Sequence, residues 1–201
     1  DRLDSYTKIE HFNSGSEVPA NLLGKLKDKD IVIVSLHDMS AFASRGYGIT
    51  QSAKDLIGNL SKETKVVLVV FGTPYSLQYF DYADWVLEAY EEDPMAQDLA
   101  AQALFGGIPV TGKLPVTASE RSPYGAGVTI EKATRFGYTV PEDVGLNPET
   151  LARIDTIAQE AIAAKATPGC VVLVAKDGQV VYEKAFGTHA YSEKEPVQVN
   201  D

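Results

Sequence analysis

Two almost uninterrupted apolar segments constrain the fold of this chain most strongly. Residues 31–37 read IVIVSLH, and residues 66–72 read VVLVVFG. Short runs rich in Ile, Val and Leu are typical of strands that are covered on both faces, as in a parallel sheet. A third segment, WVLEAY at 85–90, fits the same pattern. These three runs predict the centre of an open, mainly parallel sheet.

Helical segments alternate with the predicted strands. Residues 17–28 have apolar positions at helical spacing, and Thr50 is suited to cap a helix that follows it. Thr73-Pro74 predicts a short helix, and Asp93-Pro94 predicts the start of an alanine-rich helix that ends before Gly106. Each of the three apolar runs is therefore followed by a helix.

Two further strands complete the predicted pattern. We expect one at residues 6–11 and another at residues 113–117, where Pro115 confines the strand to an edge or an end. The order β-α-β-α-β-α-β-α-β predicts the α/β class, with right-handed crossovers and helices on both faces of the sheet. The expected architecture is a three-layer sandwich with a mainly parallel sheet, spanning residues 1–120.

The remainder of the chain has a different character. Residues 121–146 are rich in glycine and proline and are predicted to be a linker. Residues 147–166 form an amphipathic pattern with Asn147 as its cap, and two apolar runs flank Asp177-Gly178, a strong hairpin signal. A helix plus one hairpin gives a small core, so residues 147–201 are expected to be an incomplete second domain whose open strand edges favour pairing between chains.

Composition excludes several functional classes. The chain carries 28 acidic and 18 basic residues, a net charge of −10, which argues against nucleic acid as a partner. No apolar run approaches the roughly 20 residues that cross a bilayer, so no membrane span is predicted. Cys170 is the single cysteine, expected to be a small buried residue, and no Cys/His cluster has the spacing of a metal site. The start at Asp1, without a leader, suggests a cut N-terminus.

The segment GIPVTGKL, residues 107–114, resembles a phosphate-binding loop at first sight. The magnesium-binding hydroxyl that should follow Lys113 is replaced by Leu114. The loop also follows a predicted helix and precedes a predicted strand, which is the reverse of the order that phosphate binding needs. We therefore expect a structural turn here, with Lys113 in solvent, and no cofactor.

Ligands of open α/β sheets bind beyond the carboxyl ends of the strands. This position predicts a candidate substrate-binding site made of residues that follow the three apolar runs: His37, Asp38, Tyr75, Tyr90 and Glu91. The simpler alternative remains open for each, since charged runs after strands are usually solvated and a histidine at a strand end is usually structural. No G-x-S-x-G occurs, and no carboxylate pair stands out among the acidic residues, so no catalytic residue is assigned.

Several motifs together resemble a known family. The segments VVLVVFGTPYSLQYF and EAYEEDPMAQDLAAQALFGGIPVTGKLPVT, with their spacing, resemble the C-terminal α/β sandwich domain of glycoside hydrolase family 3. The resemblance covers roughly residues 1–120 and is strongest to the β-N-acetylglucosaminidase branch. Residues 141–200, with a helix, then Pro168-Gly169 and a hairpin carrying KDG, look like the start of a serine β-lactamase-like domain.

The resemblance implies that catalysis lies outside this chain. In that family a (β/α)8 barrel, N-terminal to the sandwich, supplies the nucleophile and, in this branch, the acid–base pair. The chain would then be an accessory domain whose partner is that barrel and whose first βα unit is missing. The substrate would be terminal N-acetylglucosamine on a glycan, in a secreted or periplasmic parent protein, and no metal or cofactor would be needed.

Two other functional classes remain open from the sequence. A flavodoxin-like sheet could bind a small ligand through the loop Asn13-Ser14-Gly15-Ser16, if a strand precedes that loop. A purely structural interaction domain would instead use its acidic helices to contact a partner. Flavin absorbance would identify the first class, and association with a separate barrel without any response to ligand would identify the second.

Overall fold

The computed structural model describes residues 2–15, 17–192 and 194–201, and the chain divides into two compact units. The first unit comprises residues 1–104 and 109–131. The second comprises residues 105–108 and 132–201. The division falls inside the segment predicted as a linker, because part of that segment packs with each unit.

The first unit contains a three-stranded parallel sheet. Its strands are β1 (Ile31–Leu36), β2 (Lys65–Val70) and β3 (Trp85–Glu88), in the order β1-β2-β3. Ile31 lies opposite Lys65, and Val67 lies opposite Trp85, so all three strands end at the same edge of the sheet. Each of the three apolar runs forms one of these strands; β2 is the most buried, whereas Trp85 and Val86 of the edge strand β3 are exposed.

Helices cover the two faces of this sheet and confirm the α/β sandwich. The helices are α1 (Leu22–Leu26), α2 (Gln51–Glu63) and α3 (Pro94–Phe105). Alternate residues of β2 face opposite sides, so Leu68 packs in the cluster that contains Ile57 and Leu60 of α2, whereas Val69 packs with Ala100 of α3. The side chain of Thr50 accepts a hydrogen bond from the Ala53 backbone N–H and caps α2, as predicted.

Short 3-10 turns replace longer helices elsewhere in the first unit. They span Leu3–Ser5, Ala43–Gly48 and Pro74–Tyr79, and the last is the short helix predicted at Thr73-Pro74. The helix predicted over 17–28 forms only at Leu22–Leu26. It is short because Pro19 has no backbone N–H and disfavours a helical conformation in the residue before it.

The two outermost predicted strands are absent, which corrects those predictions. Residues 6–11 form no strand. This segment alternates polar and apolar residues only loosely, and its mostly exposed side chains bury too little to hold an edge. Residues 113–117 also form no strand, since the Leu114 backbone bonds instead to Ala126 and Gly125, at 2.8 Å each. Leu114 packs against the core of the first unit, so its apolar character serves packing rather than a sheet edge.

The second unit combines a helix with a three-stranded mixed sheet. Helix α4 (Pro148–Ala163) has Asn147 as its cap, and the hairpin consists of β5 (Gly169–Lys176) and β6 (Gln179–Gly187). A two-residue strand, β4 (Gly137–Tyr138), runs parallel to β6 and gives the order β4-β6-β5. A 3-10 turn at Pro141–Val144 leads into α4. One edge of β6 is therefore paired by residues from the segment predicted as a linker.

The hairpin turn matches its prediction. Asp177 and Gly178 have φ values of 54° and 79°, the left-handed pair that a two-residue type I′ turn requires. Lys176 pairs with Gln179 across the turn, and a bulge interrupts the register between Val174 and Ala175. The Asp-Gly sequence thus fixes the register of β5 against β6.

A polar cluster joins α4 to the hairpin. The Tyr182 hydroxyl donates a 2.6 Å hydrogen bond to Oδ1 of Asp155, and Lys184 Nζ donates to Oδ2 of the same carboxylate. The Lys184 and Tyr182 hydrogen bonds lower the pKa of Asp155. Burial, together with the Asp155 carboxylate, raises the pKa of Tyr182 to about 12. These hydrogen bonds hold α4 at a fixed position along β6.

Candidate functional site

The carboxyl edge of the parallel sheet gathers the loops that carry the predicted site residues. β1 ends at Leu36, β2 at Val70 and β3 at Glu88. The sheet hydrogen bonding continues one residue further, because the Phe71 N–H bonds the Leu36 carbonyl at 3.1 Å and the Ala89 N–H bonds the Val70 carbonyl at 2.8 Å. This extension brings the three loop starts to one edge. We call the loops at 37–48, 72–84 and 89–93 the carboxyl-edge loops.

One carboxylate organises the first of these loops. Glu92, just before α3, places Oε1 2.9 Å from Nδ1 of His37. Its Oε2 accepts a 2.6 Å hydrogen bond from the Asp38 backbone N–H. The ends of β1 and β3 are therefore connected across the end of β2. His37 and Asp38 were both predicted site residues. They are joined here by Glu92, which was not among the predicted site residues.

The imidazole of His37 is also held from one side by an aromatic ring. Its centroid lies 4.8 Å from that of Phe71, with an angle of 19° between the planes. Stacking at this distance fixes the plane of the imidazole. The side chain still exposes 37% of its surface, so the ring is both oriented and accessible to a ligand.

A close approach of two loops depends on Gly72. A Cβ built on this glycine would lie 2.8 Å from Cβ and 3.0 Å from Sδ of Met39. Real Cβ atoms essentially never come as close as 2.8 Å to a neighbouring carbon. The absence of a side chain at position 72 therefore lets the loop after β1 lie against the end of β2.

Asp38 and Tyr90 at this edge have left-handed backbone conformations. The φ angle is 53° at Asp38 and 62° at Tyr90. Such conformations are uncommon outside glycine and cost on the order of 1 kcal/mol or more, least for Asp and Asn. In each case a glutamate accepts the backbone N–H, Glu92 at Asp38 and Glu88 at Tyr90. A carboxyl group therefore stabilises each of these two strained residues by accepting a hydrogen bond from its backbone N–H.

Glu88 contributes a buried carboxyl group at the end of β3. Its Oε1 accepts a 3.0 Å hydrogen bond from the Tyr90 N–H, whereas Oε2 is buried without a partner among the described residues. Burial raises the pKa of Glu88 to about 8, against the opposing effect of the Tyr90 hydrogen bond. Burial and the Glu88 charge also raise the pKa of the Tyr90 hydroxyl. At neutral pH the Glu88 carboxyl is thus protonated and uncharged.

The predicted residues Tyr75 and Glu91 lie on the same edge but outside this network. Tyr75 exposes 46% of its surface, and its carbonyl accepts a 2.7 Å hydrogen bond from Gln78. Glu91 is exposed, and its backbone N–H bonds the Ala89 carbonyl. Among the described residues, neither side chain forms a hydrogen bond with His37, Asp38 or Glu92. The network joins His37 and Asp38 through Glu92, with Tyr90 attached to Glu88.

The sequence contained partial signals for the two residues that were missed. Glu88 is the one carboxyl in the otherwise apolar run WVLEA, which indicates burial. Glu92 lies in the run Glu91-Glu92-Asp93, where nothing in the sequence shows which carboxylate turns toward the sheet. The structure assigns Asp93 to the cap of α3, since its Oδ1 accepts from the N–H groups of Met95 and Ala96.

Other candidate ligand sites receive no support from the geometry. Lys113 Nζ donates to the Gly127 carbonyl, so the glycine-lysine segment serves its own fold. No strand precedes residues 13–15, which removes the flavodoxin-like argument for that loop, and Ser16 lies outside the described residues. In residues 2–15, 17–192 and 194–201, no group of three or more His, Cys, Asp or Glu residues could hold a metal ion.

Among the described residues, no helix is both long and apolar enough to cross a bilayer.

Cys170 is a free cysteine in β5. It is half-buried and not the buried residue that the apolar run suggested.

The chain was compared with known proteins. No protein-family model matches it, and none of the curated proteins or solved structures does so either. Its functional assignment therefore rests on its own residues and geometry.

Proposed function

We propose that this chain is an accessory α/β domain of a glycoside hydrolase that acts on terminal β-N-acetylglucosamine. In this proposal the carboxyl-edge loops contact the saccharide, while a separate (β/α)8 barrel supplies the nucleophile and the acid–base pair. The motifs FGTPY, AYEE, QALFGG and GKLPVT support the family, because they resemble the sandwich domain of glycoside hydrolase family 3.

The observation that carries the proposal is the set of groups at the carboxyl edge. Two exposed tyrosines, Tyr75 and Tyr90, lie on the carboxyl-edge loops that also carry the polar network of His37, Asp38 and Glu92. Pyranose rings have apolar C–H faces that stack on aromatic rings and hydroxyl groups that bond imidazoles and carboxylates. An edge with both kinds of group is suited to a saccharide and poorly suited to a phosphorylated ligand.

The same geometry argues for an accessory role rather than catalysis within the chain. Glu88 is the carboxyl of this edge whose pKa is raised, but its Oε2 is buried. A general acid must come within hydrogen-bonding distance of the glycosidic oxygen, and the burial of Oε2 opposes such an approach. Both oxygens of Glu92 are already bonded to the chain itself. The edge can therefore orient a saccharide, and we expect turnover to require the barrel.

The second unit fits the same parent protein. We propose that residues 147–201 are the opening segment of a serine β-lactamase-like domain, whose helix and hairpin correspond to α4, β5 and β6. A protein that joins these two domains would act outside the cytoplasm, in the periplasm or as a secreted enzyme. Residues 147–201 contain no S-x-x-K nucleophile motif, so this segment would have no activity of its own.

Hydrolysis of a chromogenic β-N-acetylglucosaminide tests the proposal. The 201-residue chain is compared with a protein extended at its N-terminus by the expected barrel. We expect turnover from the extended protein alone. Turnover by the chain alone would contradict the accessory role, and an inactive, folded extended protein would contradict the glycosidase assignment.

A further inference from the structure

The three histidines of the chain present different ring nitrogens to carboxylates. His11 faces Asp4 through Nε2 at 3.0 Å, and His189 faces Asp201 through Nε2 at 3.1 Å. His37 instead faces Glu92 through Nδ1, at 2.9 Å. Nε2 of His37 is therefore the ring nitrogen that does not face the Glu92 carboxylate, on a side chain that is 37% exposed.

The contact with Glu92 favours one tautomer of the neutral His37 imidazole. A neutral imidazole carries one proton, and a carboxylate, which only accepts, draws that proton to the nitrogen it faces. Glu92 thus favours Nδ1–H and leaves a lone pair on Nε2. The carboxylate is itself held, because its other oxygen accepts the Asp38 N–H. Stacking on Phe71 fixes the plane of the ring, so the direction of the lone pair is fixed too.

We infer that His37 and Glu92 form an oriented acceptor site, in which Nε2 of His37 accepts a hydrogen bond from a hydroxyl group of an N-acetylglucosaminide. This inference rests on the proposed function and gives its saccharide edge one defined contact. His37 contacts the saccharide, and Glu92 is a positioning residue that acts through the imidazole. Phosphate and carboxylate ligands are excluded from this position, since both present acceptors to an acceptor.

The tautomer provides the first test. Two-bond ¹H–¹⁵N correlation spectra of the full chain, recorded at about pH 7.5 where an unperturbed imidazole is mostly neutral, assign the protonated nitrogen of each histidine. We expect Nδ1–H at His37. In Glu92→Gln the amide donates as well as accepts, so the Nδ1–H form should lose its preference. An Nε2–H tautomer at His37 in the unmodified chain would overturn the inference.

Titration with N,N′-diacetylchitobiose provides the second test. We expect the Nε2 resonance of His37 to shift on saturation, while His11 and His189 serve as internal controls. Glu92→Gln should weaken the affinity about three- to tenfold, the effect of one misoriented hydrogen bond. Glu63→Gln, at the exposed end of α2 and outside the carboxyl-edge loops, should leave it unchanged.

The outcomes separate the inference from the proposed function. The acceptor site is overturned if the saccharide binds without a shift of the His37 resonance, or with shifts at the other two histidines alone. The glycosidase assignment is tested separately, by hydrolysis. No detectable binding of this disaccharide to the chain also overturns the inference. Hydrolysis by the extended protein would in that case still support the accessory domain.

Discussion

At the end of β3, Glu88 keeps an uncharged carboxyl group against an apolar environment. Its pKa of about 8 lies above the ordinary value of 4.5, so the folded chain retains a proton that the unfolded chain releases. A group of this kind stabilises the folded state least at high pH, because stability falls as pH rises from about 4.5 to 8. The carboxyl edge should therefore lose stability over this pH range, with no further loss from Glu88 well above pH 8.

Replacement of Glu88 by glutamine tests this at the residue scale. Glu88→Gln removes the titration, so its free energy of unfolding relative to the unmodified chain should rise between pH 5 and pH 8. We expect this difference in unfolding free energy to grow by on the order of 3 kcal/mol. This is less than the full shift in the Glu88 pKa would give, because Glu88 is partly exposed. Urea unfolding followed by the fluorescence of Trp85, the single tryptophan and a residue of β3, reports on the first unit.

Glu91→Gln is the matched control for that experiment. This glutamate lies three residues further along the same loop and is exposed. Its replacement should leave the pH dependence of unfolding as it is in the unmodified chain. An equal change in both variants, or a pH-independent difference for Glu88→Gln, would contradict the assignment of the titration to Glu88.

Among the elements, the hairpin of the second unit depends on its two-residue turn. Gly178 has a φ of 79°, where a Cβ is strained even though the space around it is open. Gly178→Ala should destabilise the second unit by about 1–2 kcal/mol. Amide exchange in β5 and β6 measures the effect. Gly24→Ala is the control: it lies in α1 with open space and ordinary φ, and should stabilise its helix slightly.

The contact between α4 and β6 gives a second prediction at this scale. The pKa of Asp155 is lowered by its hydrogen bonds from Lys184 and Tyr182, so its contribution is present at neutral pH and is lost as pH falls below the ordinary carboxyl range. Asp155→Ala should increase amide exchange in β6 at pH 7, with a smaller increase near pH 3. Equal increases at both pH values would show that packing, and not the charge, holds the strand.

Element prediction from the sequence succeeded where burial and turn chemistry agreed. IVIVSL and KVVLVV are strands because helices cover both faces of the sheet there, whereas WVLE pairs with β2 although Trp85 and Val86 are exposed. Asp177-Gly178 admits one turn type. Residues 113–117 were also predicted to be a strand, but Leu114 forms its hydrogen bonds with Gly125 and Ala126. The two-residue strand β4 carries no periodic signal, since its position depends on β6. Tertiary partners decided these segments.

The site was predictable in its location and not in its contacts. Parallel strands place His37, Asp38, Tyr75, Tyr90 and Glu91 at one edge, which follows from topology alone. The choice of Glu92 over Glu91 as the partner of His37 depends on how the chain enters α3. The chain reaches Glu92 through Tyr90, whose left-handed φ of 62° no local pattern indicates.

At the scale of the whole molecule, the two edges of the parallel sheet carry different groups. The carboxyl edge carries Tyr75, Tyr90 and the His37–Glu92 pair. The amino edge is lined by lysines and acidic residues, among them Lys27, Asp28 and Lys65. Only the carboxyl edge has the exposed tyrosines and the oriented imidazole that we assign to a saccharide, so substitutions at the two edges should differ in their effect on KM.

The proposal that the carboxyl edge binds a saccharide is tested most directly by measuring KM for a β-N-acetylglucosaminide. The measurement uses the N-terminally extended protein, with one variant at each edge of the sheet. Tyr90→Ala should raise KM about three- to tenfold with a smaller change in kcat, because it removes a contact made in both the bound substrate and the transition state. Lys65→Ala, at the amino end of β2, should leave KM unchanged. Equal KM values for both variants and the unmodified protein would contradict a saccharide site at the carboxyl edge.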